Sequence, residues 1–113
     1  SRFPFGTVEL FDDCFELKVE IKGWSPFVPS EADLSSLPVA ALEYRFSNTT
    51  NQTISAVYSF NTVNFMSVGS GGDSVLESRN GLTLWQPGNE DEPNIEGAFN
   101  VLIHGDSAYV NCA

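Results

Sequence analysis

The sequence predicts an all-β protein: an antiparallel β-sandwich, either whole or one part of a larger sandwich. Three observations lead there. Apolar and polar residues alternate with a period of two in several separate stretches, as they do in strands with one buried and one wet face. Turn-forming clusters recur roughly every ten residues. No stretch sustains the apolar period of an amphipathic helix.

Taken in order, the clearest strand is Phe15-Glu16-Leu17-Lys18-Val19-Glu20-Ile21-Lys22, which alternates without a miss. Its charges alternate in sign along the wet face, which suits pairing with neighbouring strands. The connection that follows runs from Gly23-Trp24-Ser25-Pro26-Phe27-Val28-Pro29 to Pro38. It is far longer than the about two to five residues a hairpin needs. Asp33 to Leu42 has room for one short helical turn, which Pro38 interrupts. A second strand covers Ala40 to Ser47, with Leu42, Tyr44 and Phe46 on one face and Glu43 and Arg45 on the other.

Asn48-Thr49-Thr50-Asn51-Gln52 reads as a polar turn, and Ile54, Ala56, Tyr58 and Phe60 as the returning strand of a hairpin. Gly69-Ser70-Gly71-Gly72-Asp73 is expected to be a flexible loop. Val75 to Arg79 and Leu82 to Trp85 flank Asn80-Gly81, expected as the turn residues of a hairpin because both tolerate positive φ. A last hairpin is expected from Ile95 to Ile103 and Ala108 to Val110, around Gly105-Asp106. About eight strands result, which fits one sandwich or half of a large one.

The chain has 113 residues, 42% of them apolar, with nine Phe, three Tyr and two Trp to bury, so residues 1–113 read as one β-sandwich domain or a piece of one. Five Lys+Arg stand against fifteen Asp+Glu, a net charge of -10. Such a chain repels phosphate backbones, so no nucleic acid is expected as a partner, nor an anionic lipid surface. The acidity serves solubility. Much of it clusters in Asp12-Asp13 and Glu90-Asp91-Glu92, which read as solvated loops.

No apolar run approaches the roughly 20 residues of a transmembrane helix. The N-terminus carries no targeting signal, so the sequence indicates no compartment. The chain starts without Met and stops at Asn111-Cys112-Ala113 directly after an apolar alternation, which reads as an excised piece of a longer polypeptide. Two cysteines, Cys14 and Cys112, are too few for a disulfide framework or a zinc site. They are expected to be reduced and mostly buried, with a bridge between the chain ends as the alternative.

Motifs for chemistry are sparse, and neither a metal nor a cofactor is expected. His104 is the only histidine, and no nucleophile-elbow motif accompanies it. The acidic clusters lack EF-hand spacing. The Gly-rich loop lacks the Lys-Ser/Thr and the helix that would cradle a phosphate. Fifteen acids offer many pairs for glycoside hydrolysis, and no spacing selects one. Asn48-Thr49-Thr50 and Asn51-Gln52-Thr53 match the glycosylation pattern, but such residues belong in a turn anyway.

The long loop is the strongest candidate site. Trp24 and Phe27 share it with Ser25, Ser30, Asp33, Ser35 and Ser36. Aromatic faces beside hydroxyls and a carboxylate suit a sugar ring. The same residues suit docking on a neighbouring domain, and prolines stiffen a loop equally well for packing.

The run Gly23 to Pro29, with Asp33, Ser35-Ser36-Leu37-Pro38-Val39-Ala40 and Glu43-Tyr44-Arg45-Phe46-Ser47-Asn48, resembles the non-lysosomal glucosylceramidase (bile acid β-glucosidase) family of glycoside hydrolases, a family 116-like group. It is similar to that family's N-terminal β-domain. Phe5-Gly6-Thr7-Val8 with Phe11-Asp12 resembles the strand before the motif, and Val110 to Ala113 resembles a place where the domain continues. The resemblance implies a supersandwich-like β-domain beside an α-helical catalytic domain that carries a Glu nucleophile and an Asp acid/base for retaining β-glucoside hydrolysis. Nothing here matches that helical domain, so no catalytic residue carries over.

The resulting expectation is a non-catalytic segment that packs against the helical domain of the same parent chain. Trp24, Phe27, Asp33, Ser35 and Ser36 would lie at that interface or contact a glucoside at the cleft rim. A free-standing carbohydrate- or protein-binding module is the alternative. If an apolar face or strand edge is left uncovered, a homodimer is expected.

Overall fold

An antiparallel ladder on either side of β2 (Leu17–Trp24) organises the first part of the chain; the alternation at 15–22 predicts this strand, which leaves out Phe15 and Glu16 and runs on through Gly23 and Trp24. A computed structural model describes residues 2–67, 74–78, 80–105 and 108–112. Two compact units, Ser1–Val57 and Tyr58–Ala113, divide it. The described residues are almost entirely β and irregular, with two three-stranded antiparallel sheets.

In the first unit the sheet order is β1 (Phe5–Leu10), β2, β3 (Ala41–Asn48). The register places Val8 against Ile21, Leu10 against Val19, Tyr44 against Ile21 and Phe46 against Val19. Paired residues share a face, so these apolar side chains form one side of the sheet. Glu9, Lys18, Glu20, Lys22, Glu43 and Arg45 occupy the other.

The alternating charges pair across strands as expected. Lys18 Nζ lies 3.1 Å from Glu9 Oε2, and Arg45 Nη1 lies 3.7 Å from Glu20 Oε1. All four side chains are solvated, so these pairs fix register more than they add stability. Between β2 and β3 the chain makes one four-residue helical turn, α1 (Ala32–Ser35), which starts just before the stretch from Asp33 to Leu42 where a single turn was expected to fit and ends well short of Pro38.

The expected strand at 54–60 does not form. The Asn48 side chain closes the preceding turn on itself: its Nδ2 donates to the Gln52 carbonyl (2.6 Å), and its Oδ1 accepts from the Thr50 amide (2.8 Å). Side-chain bonds of this kind replace the ladder bonds that would lead back along β3. This is the turn chemistry that the overlapping glycosylation patterns also fit. Val57 ends up 93% exposed.

In the second unit the order is β4 (Ser74–Ser78), β5 (Gly81–Gln86), β6 (Gly97–Leu102). The β4–β5 hairpin is where Asn-Gly predicts it, but the loop residues differ. Ser78 pairs with Gly81, which makes Gly81 the first residue of β5 and not a turn residue. Gly81 is needed for a different reason: a Cβ there would lie 1.9 Å from the Val101 carbonyl oxygen of β6.

The expected strand at 95–103 begins late, because Pro93–Ile95 form a 3-10 turn. Its partner is β5, not 108–110, which forms no strand. Of the expected turn at Gly105-Asp106, Asp106 lies outside the described residues, as do the loop at 69–73 and Arg79.

The core of this unit is one face of its sheet, with Leu82, Leu84, Val75, Phe99 and Val101 sharing a side by register. Leu84, on the central strand, is 1% exposed. The segment after Tyr58 crosses that face instead of forming a strand. Phe65 meets Phe99 edge-on at 4.9 Å. The Asn64 amide donates to the carbonyls of Ser74 and Trp85, a directly paired couple on β4 and β5 (3.3 and 3.4 Å).

Candidate interaction surface

Trp24 ends β2 and Phe5 opens β1, and the register sets them opposite each other with ring centroids 6.4 Å apart. Lys22 Nζ stands 5.1 Å from the centre of the Phe5 ring, a cation–π contact. Phe27, three residues into the loop, receives Phe3 edge-on at 4.8 Å. Buried aromatic pairs in this geometry are worth about 0.5–1.5 kcal/mol beyond their area, yet these rings are not buried. Trp24 is 41% exposed, Phe27 46% and Phe3 74%. Leu34 and Leu37 of the same connection are exposed as well.

Of these rings only Phe27 is on the loop, since Trp24, expected there, belongs to β2, and the loop is braced from within. Val28-Pro29-Ser30-Glu31 makes a turn closed by the Glu31 amide donating to the Val28 carbonyl at 3.1 Å. Pro29 suits the second position and Ser30 takes φ +68° at the third, the pattern of a type II turn. Ser35 Oγ accepts from the Val28 amide and donates to the Val28 carbonyl, both at 3.0 Å. One hydroxyl thus satisfies both main-chain groups of the residue beside Phe27. Ser36 Oγ donates to the Asp33 carbonyl at 3.1 Å and closes the end of α1.

The five residues singled out from the sequence therefore divide. Trp24 and Phe27 are exposed rings at one end of the first sheet. Ser35 and Ser36 spend their hydroxyls on the loop, and Asp33 stands exposed in the first turn of α1. No hydrogen bond or ring contact among the described residues joins Asp33, Ser35 or Ser36 to Trp24 or Phe27. Phe3 and Phe5 complete the aromatic end and were missed. Their spacing of two residues, next to an alternating Thr7-Val8-Glu9-Leu10, could have marked them as strand-flanking rings on the Trp24 side.

A Ser35→Ala variant tests the brace. It leaves both main-chain groups of Val28 without that hydroxyl and is expected to cost the first unit about 1 kcal/mol. Hydrogen exchange should rise at Val28 and Glu31 and stay unchanged in β2.

Other candidates do not assemble. His104 is exposed beyond β6. Asp12 Oδ1 accepts from the Cys14 amide (2.8 Å), and Asn89 Oδ1 accepts from the amides of Asp91 and Glu92 (3.0 and 2.7 Å). Both acidic stretches are local turns. Both cysteines are free. Cys14 is exposed, contrary to expectation, because that turn holds it outside the sheet; Cys112 is half-buried.

The second unit contains a cavity of about 350 Å³ between the crossing segment and the sheet, lined by Phe60, Val63, Val75, Leu82, Leu84 and Cys112 among others. No helix among the described residues is long and apolar enough to cross a membrane.

Residues 1–108 match the family model described as beta-glucosidase 2, glycosyl-hydrolase family 116 N-term. No curated protein and no solved structure matches the chain. The match takes in both sheets and the whole aromatic loop: the chain belongs to the N-terminal domain family of the family 116 glycosyl hydrolases.

Proposed function

We propose that this chain is a non-catalytic β-segment of a β-glucosidase, with residues 1–113 acting as one part of its N-terminal domain, and that it docks on the enzyme's catalytic domain through the aromatic end. The observation that carries the reading is a set of exposed rings, Phe3, Phe5, Trp24 and Phe27, at one end of the first sheet, beside a connection braced by Ser35. Exposed apolar patches of this kind serve interaction, and Trp anchors are enriched among residues that dominate interface energy. Ser35 and Ser36 take part by shaping the loop. Asp33 is the one exposed carboxylate on α1 and is the residue available for a polar contact at the interface or at the cleft rim.

The test is Trp24→Ala in the enzyme that joins this segment to its catalytic domain. Loss of a buried anchor is expected to lower the unfolding free energy by about 2 kcal/mol while the isolated chain loses little. A fall in kcat/KM for a β-glucoside at unchanged stability would instead assign Trp24 to the cleft rim. Unchanged stability and unchanged turnover would sink both forms of the proposal.

A further inference from the structure

A different surface, the outer edge of β3, carries an inference that does not rest on the aromatic end. The sheet order β1-β2-β3 makes β3 an edge strand, and among the described residues no strand pairs with its outer side. Its pairing with β2 runs unbroken through eight residues, with neither a proline nor a bulge. Those are two of the devices that protect an edge; charged side chains are another, and here Glu43 and Arg45 supply one charge of each sign.

The sequence of this edge is self-complementary. In an antiparallel pair related by a two-fold axis through one residue, positions equally far on either side of it face each other. With the axis at Tyr44, Glu43 of one copy meets Arg45 of the other, twice. Leu42 meets Phe46, twice, and Ala41 meets Ser47. Leu42 is 61% exposed and Phe46 46%.

Shifting the axis by one residue sets Glu43 against its own copy, or Arg45 against its own. Moving it between residues would place apolar side chains opposite charged ones. Among the registers that keep the faces matched, the one at Tyr44 is the one that sets Glu43 and Arg45 opposite each other. We propose that two copies of this chain pair through β3 about a two-fold axis at Tyr44, joining their first sheets into one continuous six-stranded sheet.

Sedimentation of the 113-residue chain tests this, with circular dichroism to check that each variant stays folded. The wild type is expected to show a concentration-dependent monomer–dimer equilibrium. Glu43→Arg places Arg opposite Arg at two positions and is expected to raise the dissociation constant about tenfold or more. Adding Arg45→Glu restores opposite charges across the axis and should recover much of the loss.

Within its own sheet Arg45 also pairs with Glu20 (3.7 Å) and with Glu43 of the same strand (3.4 Å), so a second measurement guards against a folding defect. Tyr44→Cys in a Cys14→Ser, Cys112→Ser background should oxidise to a covalent dimer, since paired Cα atoms about 4.5–5.5 Å apart suit a disulfide. A wild type that stays monomeric overturns the proposal. So does a dimer indifferent to Glu43→Arg, or one that fails to cross-link at position 44.

Discussion

Leu84→Ala is expected to destabilise the second unit by about 3 kcal/mol, the middle of the range for removing a buried leucine. Leu84 sits on the central strand, with Val75 of β4 and Phe99 of β6 paired to it on either side. It is nearly sealed from solvent, at 1% exposed. It also lines the cavity of about 350 Å³. Removing its side chain enlarges a space that neighbouring groups already leave unfilled, so the cavity term adds to the lost transfer energy. Urea unfolding should show a lower midpoint at an unchanged slope. A change below about 1 kcal/mol would mean that the core lies elsewhere than on this face.

Gly81→Ala is expected to cost about as much by the opposite mechanism, overpacking. The added Cβ would meet the Val101 carbonyl oxygen at 1.9 Å and its carbon at 2.9 Å. These are main-chain atoms of the paired strand and cannot rotate away, so relief requires β5 and β6 to separate. Gly6→Ala supplies the control, because a Cβ there meets nothing within 4 Å. It should leave stability within about 0.5 kcal/mol. Equal effects at the two positions would refute the β5–β6 register.

Leu84 and Gly81 also mark what the sequence could and could not convey. The strand at Phe15 to Lys22 was legible because period-two alternation is a local property, and its charges found partners at Glu9 and Arg45. The equally regular alternation at Ile54 to Phe60 misled, because alternation reports a residue pattern and not the presence of a partner strand. Asn48 turned the chain away, and residues beyond Tyr58 were used to cover a sheet face.

Asn80-Gly81 located the hairpin but concealed the role of Gly81, which depends on the distant Val101. In the loop, hydroxyls that suited a sugar on composition proved to be internal braces at Ser35 and Ser36. A serine side chain serves either purpose equally well, and only the distances to Val28 and Asp33 decide. The family was legible in the loop, and the family model covers it.

The central claim is that the rings at Trp24 and Phe27 are exposed in this segment because they meet the catalytic domain. Hydroxyl-radical footprinting of the chain alone and of the enzyme that contains it tests this most directly. Trp85, half-buried on β5, serves as the internal reference. The account predicts strong labelling of Trp24 and Phe27 in the isolated chain and protection of both in the enzyme, with Trp85 unchanged. Equal labelling of Trp24 and Phe27 in the two samples would contradict it.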